Sequence, residues 1–368
     1  MPEPIKINWY RCKLDQSLLS QLMRKSDARG FAQTITQLLI FVLTGTLAYI
    51  IFRQLRIENL PWMLPLLLLS LFFHGTNASF FRIAVHELGH RTPFATQFWN
   101  TFFLIVFSFL SWFNYTGFRA SHIRHHQATT HTDHDGEVIL PQGLDWHGIK
   151  FATSLIVFSP ADVLKQLRFW LTAAIGDLSY DGYFKANWLQ RVIPESDAKL
   201  RSEIRNWAHI LLLGHLTLAA VFIVTGHWFL IILVNFGSFY SGWFAHLCSK
   251  PQHVGLSPNT PDFRLCCRSY TCGWFPAFFY WNMQYHVEHH MFPSVPFYNL
   301  PRLRAALLHD LPPAKHGLWA TWREILAILK RQRKDPNYVF IPLLPSNDGV
   351  RIDHETIRRE AANTVGPQ

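Results

Sequence analysis

Charge is scarce in this chain. Asp, Glu, Lys and Arg make up 16% of its 368 residues, against roughly 25% in average soluble proteins. They are missing altogether from residues 30–52, 59–81, 92–118 and 206–249. Uncharged stretches of that length exclude an ordinary soluble surface. Cysteine is scarce too: Cys12, Cys248, Cys266, Cys267 and Cys272. Their spacing fits neither a paired disulfide framework nor a zinc ribbon, so they read as reduced thiols. There is no G-x-G-x-x-G fingerprint in a βαβ setting and no C-x-x-C-H haem attachment. No low-complexity tract and no nucleic-acid motif is present. The formal net charge of +10 therefore points to anchoring beside a membrane, because the Lys and Arg residues flank the apolar segments. The first apolar segment begins about thirty residues in and lacks an A-x-A-like cleavage site, which fits an uncleaved span better than a signal peptide.

What is present is hydrophobic length. Residues 30–52 and 59–81 are each long enough to cross a hydrocarbon core of about 30 Å as helix, at about 1.5 Å per residue. Only Arg53–Glu58 separates them, so they read as a hairpin. Residues 206–249 form a second apolar stretch, with Thr225-Gly226-His227 as a turn near its middle. This predicts spans at about 206–224 and 228–248. Residues 92–118 are uncharged but contain Asn100, Ser108, Ser111 and Asn114. They are too few to cross twice, and an interfacial or shallow re-entrant helix over about 95–117 is expected. The expected fold is all-α and integral to the membrane: four transmembrane helices in two hairpins, interfacial helices, and a cytoplasmic histidine-rich cap built from 119–205 and 250–340. Residues 1–29 form a cytoplasmic tail, 30–340 the membrane domain and 341–368 a polar C-terminal tail. The six Lys/Arg of the first tail, against two Arg in the 53–58 loop, set the orientation.

Histidine is abundant. Eight of the twenty fall in three tight groups: His86 and His90; His122, His125 and His126; His286, His289 and His290. Residues three or four apart share a helix face, so each group presents its imidazoles together. Neutral imidazole is a ligand for Fe, Zn, Cu and Ni. In the expected topology all three groups face one side of the membrane. A single histidine on an apolar helix is more often a satisfied core residue, which is the reading for His74, His209, His215 and His227. Eight imidazoles are too many for one tetrahedral zinc, but they suffice for two metals with open positions. Iron suits O2 chemistry at such a site.

The three groups resemble the histidine boxes of the membrane fatty acid desaturase and hydroxylase superfamily. Around the third, Tyr280-Trp281-Asn282-Met283-Gln284-Tyr285 precedes, while Met291-Phe292-Pro293-Ser294-Val295-Pro296 and Leu300-Pro301 follow. The resemblance covers roughly residues 30–330. It implies a pair of Fe2+ ions held by the box histidines, with O2 as co-substrate. It also implies a ninth ligand about thirty residues before the third box, either His253 or His246, with His253 favoured. His86-Glu87-Leu88-Gly89-His90-Arg91-Thr92 and Gln252-His253-Val254-Gly255-Leu256 look most like the dihydrorhizobitoxine-desaturase-like subgroup. The first box has three residues between its histidines where the long-chain acyl-CoA type has four, so regiochemistry does not carry over. Acids that could orient the imidazoles are Asp133 and Asp135 first, then Asp262, Glu87 and Glu288.

The function expected from this resemblance is O2-dependent desaturation of a fatty acyl or lipid-like substrate. Alternatives are hydroxylation by the same chemistry and desaturation of a small amino-acid-like metabolite. The chain lacks the H-P-G-G of a fused cytochrome domain, so an external donor is implied: a ferredoxin, or a b-type cytochrome with its reductase. The bilayer is the other partner, at the bacterial inner membrane or the endoplasmic reticulum, with the boxes on the cytoplasmic side. A rival from another class is a membrane zinc metalloprotease, because His86-Glu87-Leu88-Gly89-His90 matches H-E-x-x-H. It leaves two histidine groups unexplained. A metal transporter would need ionisable residues lining the spans, and the predicted spans carry no Asp or Glu.

Overall fold

A computed structural model describes residues 6–138, 160–180 and 187–345. The parts of the expected cap at 139–159 and 181–186, and the C-terminal tail beyond 345, lie outside the described residues. After a short helix, α1 (Gln16–Leu22), the chain enters α2 (Asp27–Gln54). Ser26 caps α2 by accepting from the Arg29 amide, and Asp27 in its first turn suits the helix dipole. Twenty-eight residues give about 42 Å of helix, enough to cross a bilayer. Its outward face is apolar and exposed at Leu39, Val42, Leu43 and Leu47, as a lipid-facing surface requires. Pro61 starts α3 (Leu60–Ser79), which runs through Phe80 into α4 (Phe81–Gly89). The run Leu60–Gly89 and the helix α9 (Ala198–Val224) are the other two segments long and apolar enough to span. The fold is thus a mostly helical membrane protein. Two of these spans extend beyond the expected limits, because α9 begins at Ala198, eight residues before the charge-free stretch, and α2 begins at Asp27.

α2 and α3 pair through polar groups inside an apolar contact. His74 Nδ1 lies 2.9 Å from Thr44 Oγ1, and Gly45 opposite leaves room for the ring. His74 Nε2 donates to the Leu233 carbonyl at 3.1 Å. Asn77 Nδ2 donates to the Gln37 carbonyl, and Trp281 Nε1 to Gln37 Oε1. His74 and His215 are therefore bonded core residues; His215 also stacks between Phe109 and Trp112.

The expected interfacial segment forms α5 (Gln97–Leu110), which bends by 108° into α6 (Tyr115–Ala128). The polar residues noted in the sequence make this corner. The Ser108 carbonyl accepts from the Phe113 amide, and Trp112 takes a positive φ of 52°. Asn114 Oδ1 caps α6 by accepting from the Gly117 amide at 3.1 Å. Between α6 and α9 the described residues form α7 (Pro160–Ala174) and α8 (Trp188–Val192).

The expected fourth helix at 228–248 is not continuous. After the turn at Gly226, whose φ is +74°, the chain makes a π turn (Ile231–Asn235), a 3-10 turn (Gly237–Phe239) and then α10 (Trp243–Ser249). Asn235, Gly237, Ser241 and Gly242 are poor helix formers, and Ser241 takes a φ of 54°. Backbone freed from helical bonding needs other partners at such depth. It finds them in neighbouring side chains: the Leu233 carbonyl accepts from His74, and the Asn235 carbonyl accepts from Trp112 Nε1 at 2.6 Å. Absence of charge identified an apolar segment here, but helical continuity depended on this local chemistry.

Four short helices follow, α11 (Phe263–Cys266), α12 (Trp274–Phe279), α13 (His286–Met291) and α14 (Leu300–Leu307), and then the longer α15 (Gly317–Gln332). Two-residue strands β1 (Tyr270–Thr271) and β2 (Lys315–His316) pair in parallel.

His74→Leu keeps the packing but strands the Leu233 carbonyl. It should lower stability by about 1–3 kcal/mol, read as a lower midpoint in thermal unfolding of the detergent-solubilised chain. An unchanged midpoint would show that the carbonyl has another partner.

Candidate metal centre

Nine imidazoles meet at one place. His86 lies on α4 and His90 caps it; His122, His125 and His126 lie on α6; His286, His289 and His290 lie on α13. His253 follows a 3-10 turn at Lys250–Gln252. Two sets of potential ligand atoms result, each within 4.8 Å: His86, His90, His122, His126 and His289; and His125, His253, His286 and His290. The sets adjoin, with the rings of His126 and His290 stacked at 4.3 Å. All nine residues singled out in the sequence are in these sets, whereas His246 is in neither.

The hydrogen bonds behind the rings show what the inner nitrogens must do. His125 Nδ1 donates to Asp135 Oδ2 at 2.8 Å, and His253 Nδ1 donates to the Cys266 carbonyl at 2.8 Å. Thr129 spends its one proton on the His125 carbonyl, so its oxygen accepts from His290 Nδ1 at 3.0 Å. Each of these three rings, when neutral, then carries its lone pair on Nε2. These lone pairs converge with His286, whose Nε2 is 2.9 Å from that of His253 and 3.0 Å from that of His290. One proton on His286 cannot serve them all. In the other set, His122 Nδ1 bonds Glu137 Oε2 at 3.2 Å, while its Nε2 stands 3.2 Å from His90 Nε2 and 3.0 Å from His126 Nε2. His289 is fully buried, and neither of its ring nitrogens has a hydrogen-bond partner among the described residues.

A cation resolves both problems. Two nitrogens bound at about 2.1 Å and at right angles stand about 3 Å apart, which matches the observed separations. Burial also keeps the rings neutral, as ligands must be, except at His125, where burial is outweighed by Asp135 and Glu137, which raise the imidazole above its ordinary value. Burial drives His253 down to about 3 and holds His286, His289 and His290 well below the ordinary imidazole range, with neighbouring imidazoles adding to the effect in the last three.

The acids divide in two. Asp135 is buried, holds His125, and accepts from the Thr130 and Glu137 amides. Burial raises its carboxyl, but His125 and these bonds outweigh that and leave it below its usual value. Glu87 Oε1 lies 3.2 Å from His86 Nδ1 and 3.6 Å from His289 Nδ1, close enough for charge pairing but without hydrogen-bond alignment. Asp133 is exposed. Asp262 pairs with Arg264 at 2.8 Å, and Glu288 with Arg304 at 2.5 Å and Ser269 Oγ at 2.5 Å. These two hold the scaffold and bond no imidazole. Sequence reasoning missed Glu137, Thr129 and the Cys266 carbonyl. Glu137 had a signal, as the next acid in Asp133-His134-Asp135-Gly136-Glu137; a threonine and a main-chain oxygen had none. Burial pushes the Glu137 carboxyl up to about 7, against the pull of His125 and Ser121.

A cavity of about 380 Å³ reaches the centre between the two sets, lined by His90, His126 and His290 and by Trp9 and Arg11 of the N-terminal segment. Trp9 is fixed there by stacking on Phe263 at 4.0 Å and by donating to the Gln127 carbonyl at 2.9 Å.

Among known proteins, the family model described as fatty acid desaturase matches residues 59–322, a stretch that includes all nine histidines. No curated protein matches the chain.

Asp135→Asn should weaken metal binding about 10–100-fold, measured by competition with a chelator, while leaving the chain folded. Unchanged affinity would separate Asp135 from the centre. The metal-free chain should also be acid-sensitive. Unfolded imidazoles take protons below about pH 6.5, whereas the buried ones resist down to about 3 for His253. Stability should therefore fall as pH drops below 6.5, seen as thermal midpoints at pH 5, 6.5 and 8. Glu87 and Glu137, whose carboxyls burial raises to about 7, oppose that fall but are outnumbered by the imidazoles, and they add a smaller loss as pH rises through 7.

Proposed function

The chain belongs to the fatty acid desaturase family, and from that premise we propose that its nine imidazoles hold two irons and that it desaturates a fatty acyl or lipid-like substrate with O2. One observation carries the reading: the Nε2 lone pairs of separate chain segments converge in two adjoining sets, each backed by acceptors that fix the tautomer. Nine nitrogen donors suit iron in O2 chemistry. Bound there, two irons would supply O2 activation and removal of hydrogen from an unactivated C–H bond.

The protein's own part is to bind, orient and shield. His86, His90, His122, His126 and His289 would hold one ion, and His125, His253, His286 and His290 the other. Asp135 and Glu137 keep protons on the outer nitrogens of His125 and His122, which aims the inner ones. Glu87, placed behind His86 and His289, serves the same end. That placement also accounts for the H-E-x-x-H match without a protease, since the carboxylate lies against the rings of His86 and His289. The cavity beside His90, His126 and His290 is the approach to the centre. Electrons come from an external ferredoxin or b-type cytochrome with its reductase, and the histidines face the cytoplasm with the basic N-terminal tail.

The test is to load the purified chain with iron anaerobically, add reductant and then O2, and profile acyl lipids, free fatty acids and amino-acid-like metabolites by mass spectrometry. About two irons per chain and a product lighter by two mass units are expected. A gain of sixteen would make it a hydroxylase. A single bound zinc, or no product from an iron-loaded chain, would count against the proposal.

A further inference from the structure

A second cavity, of about 540 Å³, lies between α5, α6 and α9. Its walls are apolar at Leu104, Trp207 and Ile210, yet it contains Arg91 and Arg119. Arg119 is half-buried, and its Nε has no hydrogen-bond partner among the described residues. Its stem lies against α4, since a Cβ on Gly89 would be 3.5 Å from its Cγ. Arg91 is placed by a left-handed backbone, φ 59°, and its carbonyl accepts from Lys25 Nζ at 2.8 Å. Glu203 lines the same cavity but forms no ion pair with either arginine among the described residues. By formal charge, two guanidiniums and one carboxylate leave the cavity with one uncompensated positive charge.

A half-buried guanidinium facing a like charge is costly unless an anion joins it. We propose that Arg91 and Arg119 bind the singly charged head, carboxylate or phosphodiester, of an amphiphile whose chain leaves along Trp207 and Ile210. The forked donors of arginine match both head types. An exit for the chain exists: Ile210 is half exposed and continues one helical turn on into Leu213, on the exposed apolar face of α9. The site also adjoins the metal centre. Arg91 follows His90, Arg119 lies one turn before His122, and Ile123 lines this cavity and the one at the histidines alike. A head held here is separated from the cavity at the histidines by Ile123. Only the fate of the ligand rests on the oxidase reading; binding does not.

The experiment therefore reads binding without turnover, on the full chain in an uncharged detergent, by native mass spectrometry. Probes are palmitate, hexadecanol, and the palmitoyl lysolipids with phosphoglycerol or phosphocholine heads. Palmitate or the phosphoglycerol lysolipid should bind at least about tenfold more tightly than hexadecanol and the zwitterionic lysolipid; whichever is tighter names the head. Arg119→Gln should erase that preference and Glu203→Gln should increase it. Arg91→Gln, at an exposed side chain, gives the same test if the Arg119 variant fails to fold. Equal binding of palmitate and hexadecanol, or preference retained in both arginine variants, overturns the site. Displacement of palmitate by an equal concentration of inorganic phosphate overturns the amphiphile.

Discussion

Everything in this chain is arranged around a repulsion that only a cation removes. Imidazole nitrogens from four segments face one another at about 3 Å, and several have their protons committed on the far side of the ring. In water such rings would turn away or protonate. Here burial opposes protonation of every ring but His125, which Asp135 favours charged, and the bonds to Asp135, Thr129 and the Cys266 carbonyl block rotation. The structure thus spends stability to present neutral lone pairs to one place, and metal binding returns it.

That demand explains the irregular backbone. The three histidine groups are 32 and 160 residues apart by their closest members, so the chain must return to one place twice. The run Leu60–Gly89 delivers the first group at its end. The segment from 97 then turns by 108° at residues 111–114, putting His122 and His126 beside His86 and His90. The broken stretch after Gly226 is a similar device. A straight helix from 228 to 248 would have no free carbonyls for His74 and Trp112; the turns supply them at Leu233 and Asn235, tying this segment to α3 and to the corner after α5. At residues 111–114 and 235–242, polar or small residues inside uncharged stretches accompany the breaks in the helices.

This also separates what was legible in the sequence from what was not. Spacing alone was enough for the box histidines, because i, i+3 and i+4 positions meet on any helix. The spans over 30–52 and 59–81 were legible because missing charge measures hydrophobic length directly. Helix continuity at 228–248 was not, because a π turn and a 3-10 turn are as apolar as the helix they interrupt, and only Asn235, Gly237, Ser241 and Gly242 hint at them. Likewise Thr129 and the Cys266 carbonyl became partners of His290 and His253 through folding; neither residue type signals such a role by itself.

The acids give the sharpest case. Asp135, Glu137, Glu87, Asp262 and Glu288 are all near the histidines in sequence or space. What divides them is whether an arginine arrives first. Arg264 takes Asp262 and also bonds Asp310, while its guanidinium lies 3.7 Å over the Tyr10 ring. Arg304 takes Glu288, and Arg268 takes Glu324 at 3.2 Å. A carboxylate neutralised by a guanidinium has little left to offer an imidazole, so these pairs fix α11, α13 and α14 in place. Asp135, Glu137 and Glu87 form no ion pair with an arginine or lysine among the described residues, and their charge is directed at the histidines. The same logic, with the signs exchanged, applies at Arg91 and Arg119: a charge that the chain itself leaves uncompensated is the one available to a ligand.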